Sequence, residues 1–380
     1  MREAPNGRTL ALHVMQITPN TRWVFVEISD GAGGVGVGES TLNGREASLA
    51  DAMDAVADEA LAAIDEPPGV FAERQRPRDL DAAAVVSGID QALWDLHARG
   101  RQVAVVDVLA GVRRRAIPVY ANINRRTRER TPEGFANSAR DALRAGFDAI
   151  KLAPFDHVDA ARTAVTNREG LAKGLECVAA VRHAIGVDRR LMVDCHWRFD
   201  EHMAGQLIHD ADALALHWIE CPLPETESNI PAIVRLRALA NARGVRLAGL
   251  EHGVRIESFV PWCEADAYDT MMPDVKYAGG LREMGRIAEY LAERGVDVSP
   301  HNPTGPVSHA ASLHVCAALR ECDMLEMQFD ESPLFDALCG QEISRIEDGV
   351  AMLPPGIGFG VSLDRHLLQT HAVEPARVWR

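Results

Sequence analysis

The sequence lacks paired cysteines, long apolar runs and an excess of basic residues. Its seven cysteines are odd in number and none belongs to a CxxC pair, which argues against a disulfide framework and favours reduced thiols in a cytoplasmic protein. No stretch approaches about 18 consecutive apolar residues, and the first ~25 residues contain no long apolar segment. We therefore expect neither a transmembrane helix nor a signal peptide.

The charge balance excludes two classes of partner. A net charge of −15 argues against a surface that binds nucleic acid or an anionic membrane. A small anionic substrate remains compatible, because a bound cation can reverse the local field.

The 380 residues are enough for one large domain and a smaller one, and they contain no internal repeat. Residues 9–40 alternate apolar and polar side chains, as half-buried strands do, and Ala-rich helical stretches follow. This pattern predicts an α+β domain over residues 1–114. Residues 115–345 are predicted to form an α/β barrel, and residues 346–380 an extended segment that returns to the first domain.

Six short apolar segments organise the larger domain, and each ends in an ionisable residue. They end at Asp194, Glu220, Glu251, Asp274, His301 and Glu326. Successive end points lie about 23 to 31 residues apart, the length of a strand, a helix and two loops in a (β/α)8 barrel. The spacing therefore predicts a TIM-barrel fold whose parallel strands bring these side chains to one mouth, where the active sites of such barrels lie.

The order of these residues indicates two neighbouring kinds of chemistry. Three successive carboxylates, from Asp194, Glu220 and Glu251, supply the oxygen ligands that hard cations prefer. An aspartate and a histidine, Asp274 and His301, follow them and are typical of acid–base catalysis.

Several motifs occur in an order that resembles a known family. They are AVVSGIDQALWDLHARG, VDCHW, WIECPLPE, GLEHG, MPDVKYAGG, SPHNPTGPVSHAA and PPGIGFGVSLD. Together they span nearly the whole chain and resemble the enolase superfamily, specifically the mandelate racemase-like subgroup and its acid-sugar dehydratases. The resemblance implies a modified enolase barrel with an N-terminal α+β capping domain that the C-terminal tail completes.

The resemblance also implies roles for individual residues. It makes Asp194, Glu220 and Glu251 the ligands of one Mg²⁺ per active site. It makes His301 an acid or base whose tautomer and basicity are set by Asp274. It places a protonated Glu326 against the substrate carboxylate, opposite the metal, where it would stabilise the charge that develops on the enediolate oxygen.

The second barrel strand departs from the family pattern, which often has a Lys-x-Lys pair there. If Lys151 is the second lysine of the pair, Ala149 stands in place of the first. If Lys151 is the first, Ala153 stands in place of the second. In the first case Lys151 lies across the substrate from His301 as a base or a cation, and in the second it only binds carboxylate or shapes the mouth.

Other polar residues near the strand ends are candidate substrate contacts. His196 follows Asp194 at the strand period of two and is predicted to be a second acid, a hydroxyl ligand or a support for the metal site. Asn122, Asn124 and Arg198 are predicted to bind substrate hydroxyl groups or shape a polar mouth.

Two further expectations concern the sixth strand and the first domain. Asp274, and not Lys276, holds the sixth strand end, which argues against the pattern of muconate-lactonizing enzymes and dipeptide epimerases. Ser40 and its neighbours within residues 14–44 are predicted to form a lid that sets specificity.

These features predict a Mg²⁺-dependent lyase of carbohydrate catabolism. It would abstract the α-proton of a carboxylate substrate through an enediolate and dehydrate an acid sugar, an aldonate or aldarate, to a 2-keto-3-deoxy acid. The alternatives are a racemase, epimerase or lactone cycloisomerase of the same superfamily and, more remotely, a non-catalytic binding protein. We expect a cytoplasmic homo-oligomer with a small-molecule substrate and no nucleic-acid or membrane partner.

Overall fold

The computed structural model describes residues 7–159 and 164–380. Its strands are β1 (Thr9–Thr18), β2 (Thr21–Ser29), β3 (Val35–Glu39), β4 (Ala116–Asn122), β5 (Ala149–Leu152), β6 (Arg190–Asp194), β7 (Trp218–Glu220), β8 (Arg246–Gly249), β9 (Thr270–Met271), β10 (Asp297–Val298), β11 (Leu325–Gln328), β12 (Ile346–Glu347), β13 (Val350–Met352) and β14 (Arg377–Trp379). Its α-helices are α1 (Glu46–Ala62), α2 (Val70–Gln75), α3 (Leu80–Gly100), α4 (Val105–Leu109), α5 (Pro132–Arg144), α6 (Ala164–Ile185), α7 (Glu201–Asp210), α8 (Ile230–Asn241), α9 (Arg255–Glu264), α10 (Leu281–Ala292), α11 (Pro306–Ala318), α12 (Leu334–Cys339) and α13 (Arg365–Thr370). Within the described ranges, no helix is long and apolar enough to cross a membrane.

An antiparallel sheet in the order β14-β1-β2-β3 forms the first domain together with α1 and α3. The turn between β1 and β2 is only residues 19–20. Asp79 caps the N-terminus of helix α3, because its side chain accepts a hydrogen bond from the Ala82 N–H. The helix then packs so closely on β3 that a Cβ at Gly38 would lie 2.0 Å from the Gly88 carbonyl oxygen. Only glycine permits this approach of helix to strand.

The close contact between α3 and β3 also bears on the predicted lid. Most of residues 14–44 form strands of this sheet, and Ser40 is fully buried. A Cβ at Gly88 would lie 2.0 Å from the Ser40 Oγ, so Ser40 lies under α3. A buried residue beside a packed helix cannot open as a surface loop does. The prediction of a lid at Ser40 is therefore wrong.

In the described part of the chain, eight parallel strands form the barrel. Parallel pairing runs in the order β10-β9-β8-β7-β6-β5-β4, and β11 pairs with the other edge of β4. Two backbone hydrogen bonds connect the β10 region to β11, from Asp323 N to Val298 O (2.9 Å) and from Glu326 N to Pro300 O (3.2 Å). The predicted α/β fold class, a TIM-type barrel with an α+β cap, is confirmed.

Large side chains fill the barrel interior below its mouth. The buried layer consists of Tyr120, Ala149, Met192, Trp218, Ala248, Met272 and Met324. Tyr120 and Trp218 meet edge to face, with ring centroids 5.4 Å apart. Polar side chains that point inward above this layer can only lie at the mouth, because the apolar layer closes the floor.

The C-terminal segment contacts both domains. β12 and β13 form a hairpin whose second strand pairs antiparallel with β4, with Val350 opposite Pro118. The chain then crosses to the first domain, where β14 pairs antiparallel with β1. The domain limits at residues 114 and 345 stay predictions.

One carboxylate joins the capping domain to the barrel. Glu39, at the end of β3, is fully buried and accepts hydrogen bonds from the Gly305 N–H (2.8 Å) and the Ser308 N–H (2.9 Å). Its carboxylate also accepts from the hydroxyls of Thr304 and Thr41, each at 2.7 Å. Gly305 precedes α11 and has no side chain to cap it, so the capping domain supplies the cap for this barrel helix.

Candidate active site

Three carboxylates meet at the mouth of the barrel. Asp194 ends β6 and Glu220 ends β7, and the two residues are partners in the parallel register. Glu251 follows β8 by two residues. One oxygen from each side chain lies within 4.8 Å of the others, and all three residues are buried. A buried cluster of this kind could bind a metal ion, because carboxylate oxygens are ligands of hard cations.

The electrostatics of the cluster also fit a cation. Burial, reinforced by the charge of Asp194, raises the pKa of Glu220 to about 8 although Lys151 opposes the shift. Burial and the charges of Asp194 and Glu220 raise the pKa of Glu251 well above its usual value. Burial would also raise the pKa of Asp194, but the charge and hydrogen bond of His196 lower it to about 2. The carboxylates thus repel one another in a way that a divalent ion would relieve.

Lys151 lies between this cluster and Glu326. Its Nζ is 2.5 Å from the Glu220 Oε1 and 2.9 Å from the Glu326 Oε1, and it lies over the ring of Tyr120. Burial would lower the pKa of Lys151, but Glu220 and Glu326 raise it well above its usual value. Of the roles left open for Lys151, this arrangement favours the cation over the base, since a base must be neutral.

Glu326 is surrounded by hydrogen-bond donors. Besides Lys151, it accepts from the Asn122 Nδ2 (2.7 Å) and from the Asn302 N–H (3.0 Å). Burial opposes ionisation, yet Lys151 and His301 hold the pKa of Glu326 below its usual value. The prediction that Glu326 is protonated is therefore wrong for the arrangement in the structure.

His301 and Asp274 form the predicted pair, joined by a third residue. The His301 Nδ1 lies 2.7 Å from the Asp274 Oδ2, and the His301 Nε2 lies 3.3 Å from the Glu251 Oε2. The Lys276 Nζ donates to the same Asp274 Oδ2 at 2.7 Å. Burial opposes ionisation of Asp274, but Lys276 and His301 hold its pKa below the usual value.

His196 reaches the metal cluster by a turn and not along a strand. β6 ends at Asp194, and His196 has a positive φ of 47° while its N–H donates to the Asp194 Oδ1 (2.8 Å). Its Nε2 lies 2.7 Å from the Asp194 Oδ2, and the charge of Asp194 raises the pKa of His196. His196 thus lies beside Asp194, although not through the strand period that placed it there, and its role stays a prediction.

Two predicted substrate contacts are engaged elsewhere. The Asn124 Oδ1 accepts from the Arg130 Nη1 at 2.6 Å. The Arg198 guanidinium lies 3.4 Å from the carbonyl oxygens of Asp156 and Val158, in the loop after β5. The structure therefore gathers the other predicted site residues but leaves Asn124 and Arg198 outside the cluster, and their substrate contacts stay predictions.

Sequence reasoning missed the supporting roles of Lys276 and Asn302. The spacing of two residues between Asp274 and Lys276, which suits a hydrogen bond back across a turn, is a signal that the sequence does contain. The Asn302 Nδ2 lies 2.9 Å from the Glu326 carbonyl oxygen and 2.9 Å from the His309 Nδ1. The position of Asn302 next to His301 was the only available signal.

The fold and the site together define a class of protein: a (β/α)8 barrel with an α+β cap and a carboxylate cluster at its mouth. Residues 134–367 match the family described as enolase C-terminal domain-like. Residues 5–110 match the N-terminal domain of mandelate racemase / muconate lactonizing enzyme. The chain therefore belongs to the mandelate racemase/muconate lactonizing enzyme family of the enolase superfamily, as its motifs had predicted.

Curated relatives carry dehydratase names. D-gluconate dehydratase of Thermoproteus tenax is 28% identical over 301 residues, which span 79% of this chain and 59% of that relative. D-xylonate dehydratase of Haloferax volcanii is 26% identical, over 93% of this chain and 86% of the relative. D-galactonate dehydratase of Klebsiella pneumoniae is 28% identical, over 94% of each.

Solved structures share the fold at lower identity. A mandelate racemase/muconate lactonizing enzyme from Sulfitobacter sp. superposes with a TM-score of 0.82 at 24% identity, over 95% of this chain and 94% of that one. The corresponding protein from Jannaschia sp. CCS1 gives a TM-score of 0.83 at 22% identity, over 97% of this chain and 98% of that one. At these identities the likeness establishes the fold alone.

Proposed function

We propose that the protein is a Mg²⁺-dependent acid-sugar dehydratase, which abstracts the α-proton of an aldonate or aldarate and releases water to give a 2-keto-3-deoxy acid. The observation that carries the proposal is the position of the His301 Nε2, 3.3 Å from Glu251 in the carboxylate cluster. An acid–base group beside a cation site is what α-proton abstraction from a carboxylate requires. The dehydratase names of the relatives support the same reaction class.

The three clustered carboxylates would hold one Mg²⁺ per active site. The ligands are Asp194, Glu220 and Glu251. When bound, Mg²⁺ supplies the positive charge that makes the α-proton acidic and stabilises the enediolate. Three buried carboxylates, with one oxygen each within 4.8 Å of the others, supply the hard oxygen ligands and the negative charge that suit Mg²⁺.

His301 is the proposed base. With Nδ1–H donated to Asp274, the Nε2 carries the lone pair and faces the cluster. Asp274 fixes this tautomer and stabilises the imidazolium that forms when Nε2 takes the α-proton. Lys276 holds Asp274 in place by donating from its Nζ to the same Oδ2 and from its backbone N–H to the Oδ1.

The substrate carboxylate would lie against a polar side of the site that is formed by Lys151, Glu326 and Asn122. The Lys151 ammonium supplies positive charge next to the developing enediolate. Asn122 and Asn302 orient Glu326 by donating to its two oxygens.

The β-hydroxyl must leave with a proton for the reaction to balance. His196 or the protonated His301 donates that proton, the carbon–oxygen bond breaks, and the products are water and an enol. The enol then tautomerises to the 2-keto-3-deoxy acid. His196 is a candidate because it lies at the same mouth, its Nε2 2.7 Å from Asp194.

The competing racemase or epimerase reaction needs a second base across the substrate from His301. Lys151 is the residue that the sequence offers for that role. Its ammonium is buried between two carboxylates, which disfavours the neutral amine that a base requires. The geometry therefore favours dehydration.

Proton exchange in D2O tests the proposal. The protein is incubated with Mg²⁺ and a panel of aldonic and aldaric acids, and NMR follows α-deuteration and keto-acid formation. We expect 2-keto-3-deoxy product from one stereochemical series, and its loss in His301→Asn but not in the control His209→Asn. Exchange without loss of water would instead identify an epimerase, and failure to bind Mg²⁺ would favour a binding protein.

A further inference from the structure

The chain bends sharply just before the third proposed metal ligand. β8 ends at Gly249, and Leu250 then has a left-handed backbone with φ of +67°. A leucine has no intrinsic preference for this region, because its Cβ crowds the following carbonyl. The bend precedes Glu251 by one residue and so determines where its carboxylate points.

A carboxylate from the neighbouring loop fastens this bend. The Glu225 Oε1 accepts from the Leu250 N–H at 2.6 Å and from the Tyr268 hydroxyl at 3.0 Å. The Cys221 thiol, at 3.8 Å from the same oxygen, adds a weak contact. Cys221 also has a positive φ, of 45°, and directly follows Glu220.

The backbone around the bend packs closely against this carboxylate. A Cβ at Gly249 would lie 2.4 Å from the Glu225 Oε1 and 2.8 Å from the Tyr268 Oη. Any side chain at that position would push Glu225 away from the Leu250 N–H. Tyr268 is itself fixed, since it is fully buried and stacks on Trp262.

We propose that Glu225 is a positioning residue for the metal site. Through one oxygen it holds Leu250 in a left-handed conformation and contacts Cys221, and these two residues adjoin the proposed ligands Glu251 and Glu220. Its hydrogen bonds among the described residues go to Cys221, Leu250 and Tyr268 and not to the cluster, so its effect on the cation would be exerted through the backbone. This inference rests on the proposed metal site.

Metal binding without substrate tests the role. Mn²⁺, a spectroscopic substitute for Mg²⁺, is titrated into the full-length protein and followed by electron paramagnetic resonance and calorimetry. Glu225→Ala should weaken Mn²⁺ binding by about 10- to 100-fold, the usual effect of losing a group that supports a metal ligand. Glu225→Gln keeps an oxygen acceptor for Leu250 and should bind within about threefold of the wild type.

Two further variants separate positioning from general damage. Glu227→Ala removes an exposed carboxylate two residues along the same loop and should leave Mn²⁺ binding unchanged. Leu250→Gly combined with Glu225→Ala should recover part of the lost Mn²⁺ affinity, because glycine adopts a positive φ without a hydrogen bond from its N–H to Glu225. A double variant no better than Glu225→Ala would overturn the proposal.

The outcomes also distinguish this proposal from the proposed function. If the wild-type protein does not bind Mn²⁺, the proposed metal site itself is refuted. Wild-type binding that Glu225→Ala leaves intact would refute the role of Glu225 and leave the metal site standing. If Glu225→Ala does not fold, Glu225→Gln decides. A tenfold loss of Mn²⁺ affinity in Glu225→Gln would contradict the proposal, because it would mean that the charge of Glu225 matters and not its hydrogen-bond acceptor.

Discussion

Asp274 illustrates how much one buried carboxylate depends on its partners. Lys276 and His301 both donate to its Oδ2. Lys276→Met removes the one full positive charge among these donors and leaves Asp274 buried with His301 and the backbone N–H of residue 276 as donors. We expect the variant to lose about 3 kcal/mol of unfolding free energy at pH 7, the usual cost of breaking a buried ion pair. Urea unfolding measures this loss.

The pH dependence of that loss follows from the lowered pKa of Asp274. A carboxyl with a lower pKa in the folded state stabilises the protein above its unfolded pKa of about 3.9, and the stabilisation disappears as the pH falls through the folded pKa. The difference between wild type and Lys276→Met should therefore shrink as the pH falls below about 4. Lys173→Met, at an exposed position of α6, is the control. An equal loss in both variants would contradict the expectation.

At the scale of residues, the sequence predicted positions better than partners. Asp194, Glu220, Asp274 and His301 could be picked out because each ends an apolar segment, and the structure brings them together. The ionised state of Glu326 could not be predicted, because its donors come from strands remote in sequence. The catalytic and metal-binding roles of these five residues stay predictions.

At the scale of elements, the spacing of apolar segments predicted the barrel, but it did not predict the lengths of the strands. β9 and β10 contain only two residues each, so Asp274 and His301 lie in loops three residues beyond their strands. Pro273 and Pro300 precede them, and proline has no N–H for a strand ladder. The proline rule was available from the sequence, whereas the left-handed turn at Leu250 has no sequence signal, since leucine rarely adopts it.

The contact between β3 and α11 gives a prediction at the same scale. Glu39 caps α11 from the other domain by accepting from the Gly305 and Ser308 amides. Glu39→Ala leaves these buried amides without an acceptor, so we expect a loss of about 2 kcal/mol or more in unfolding free energy. Hydrogen exchange at Gly305 and Ser308 should accelerate at least about tenfold.

The matched control for that variant is Glu289→Ala, which removes an exposed carboxylate from α10. It should change the unfolding free energy by less than about 0.5 kcal/mol. If Glu39→Ala behaves like this control and the α11 amides stay protected, the helix does not depend on the capping domain.

At the scale of the whole molecule, the carboxylate cluster links stability to metal and pH. Glu220 has a pKa of about 8 in the folded protein, against about 4.3 for an unfolded glutamate. The folded state therefore binds this proton more tightly, and the resulting stabilisation, complete below about pH 4.3, is lost as the pH rises through 8. Metal-free protein should lose unfolding free energy from this group between pH 5 and pH 8.

Mg²⁺ should reverse the loss, because a divalent ion replaces the protons that the crowded carboxylates otherwise retain. At 100 times its Kd, the ion should add about 2.7 kcal/mol to the unfolding free energy, measured by urea unfolding at pH 8 with Mg²⁺ and with EDTA. Glu220→Gln should flatten the pH dependence of the metal-free protein and remove most of the gain from Mg²⁺, whereas Glu289→Gln should do neither. A gain from Mg²⁺ that survives in Glu220→Gln would place the ion away from this cluster, because the amide cannot supply the charge that the ion requires.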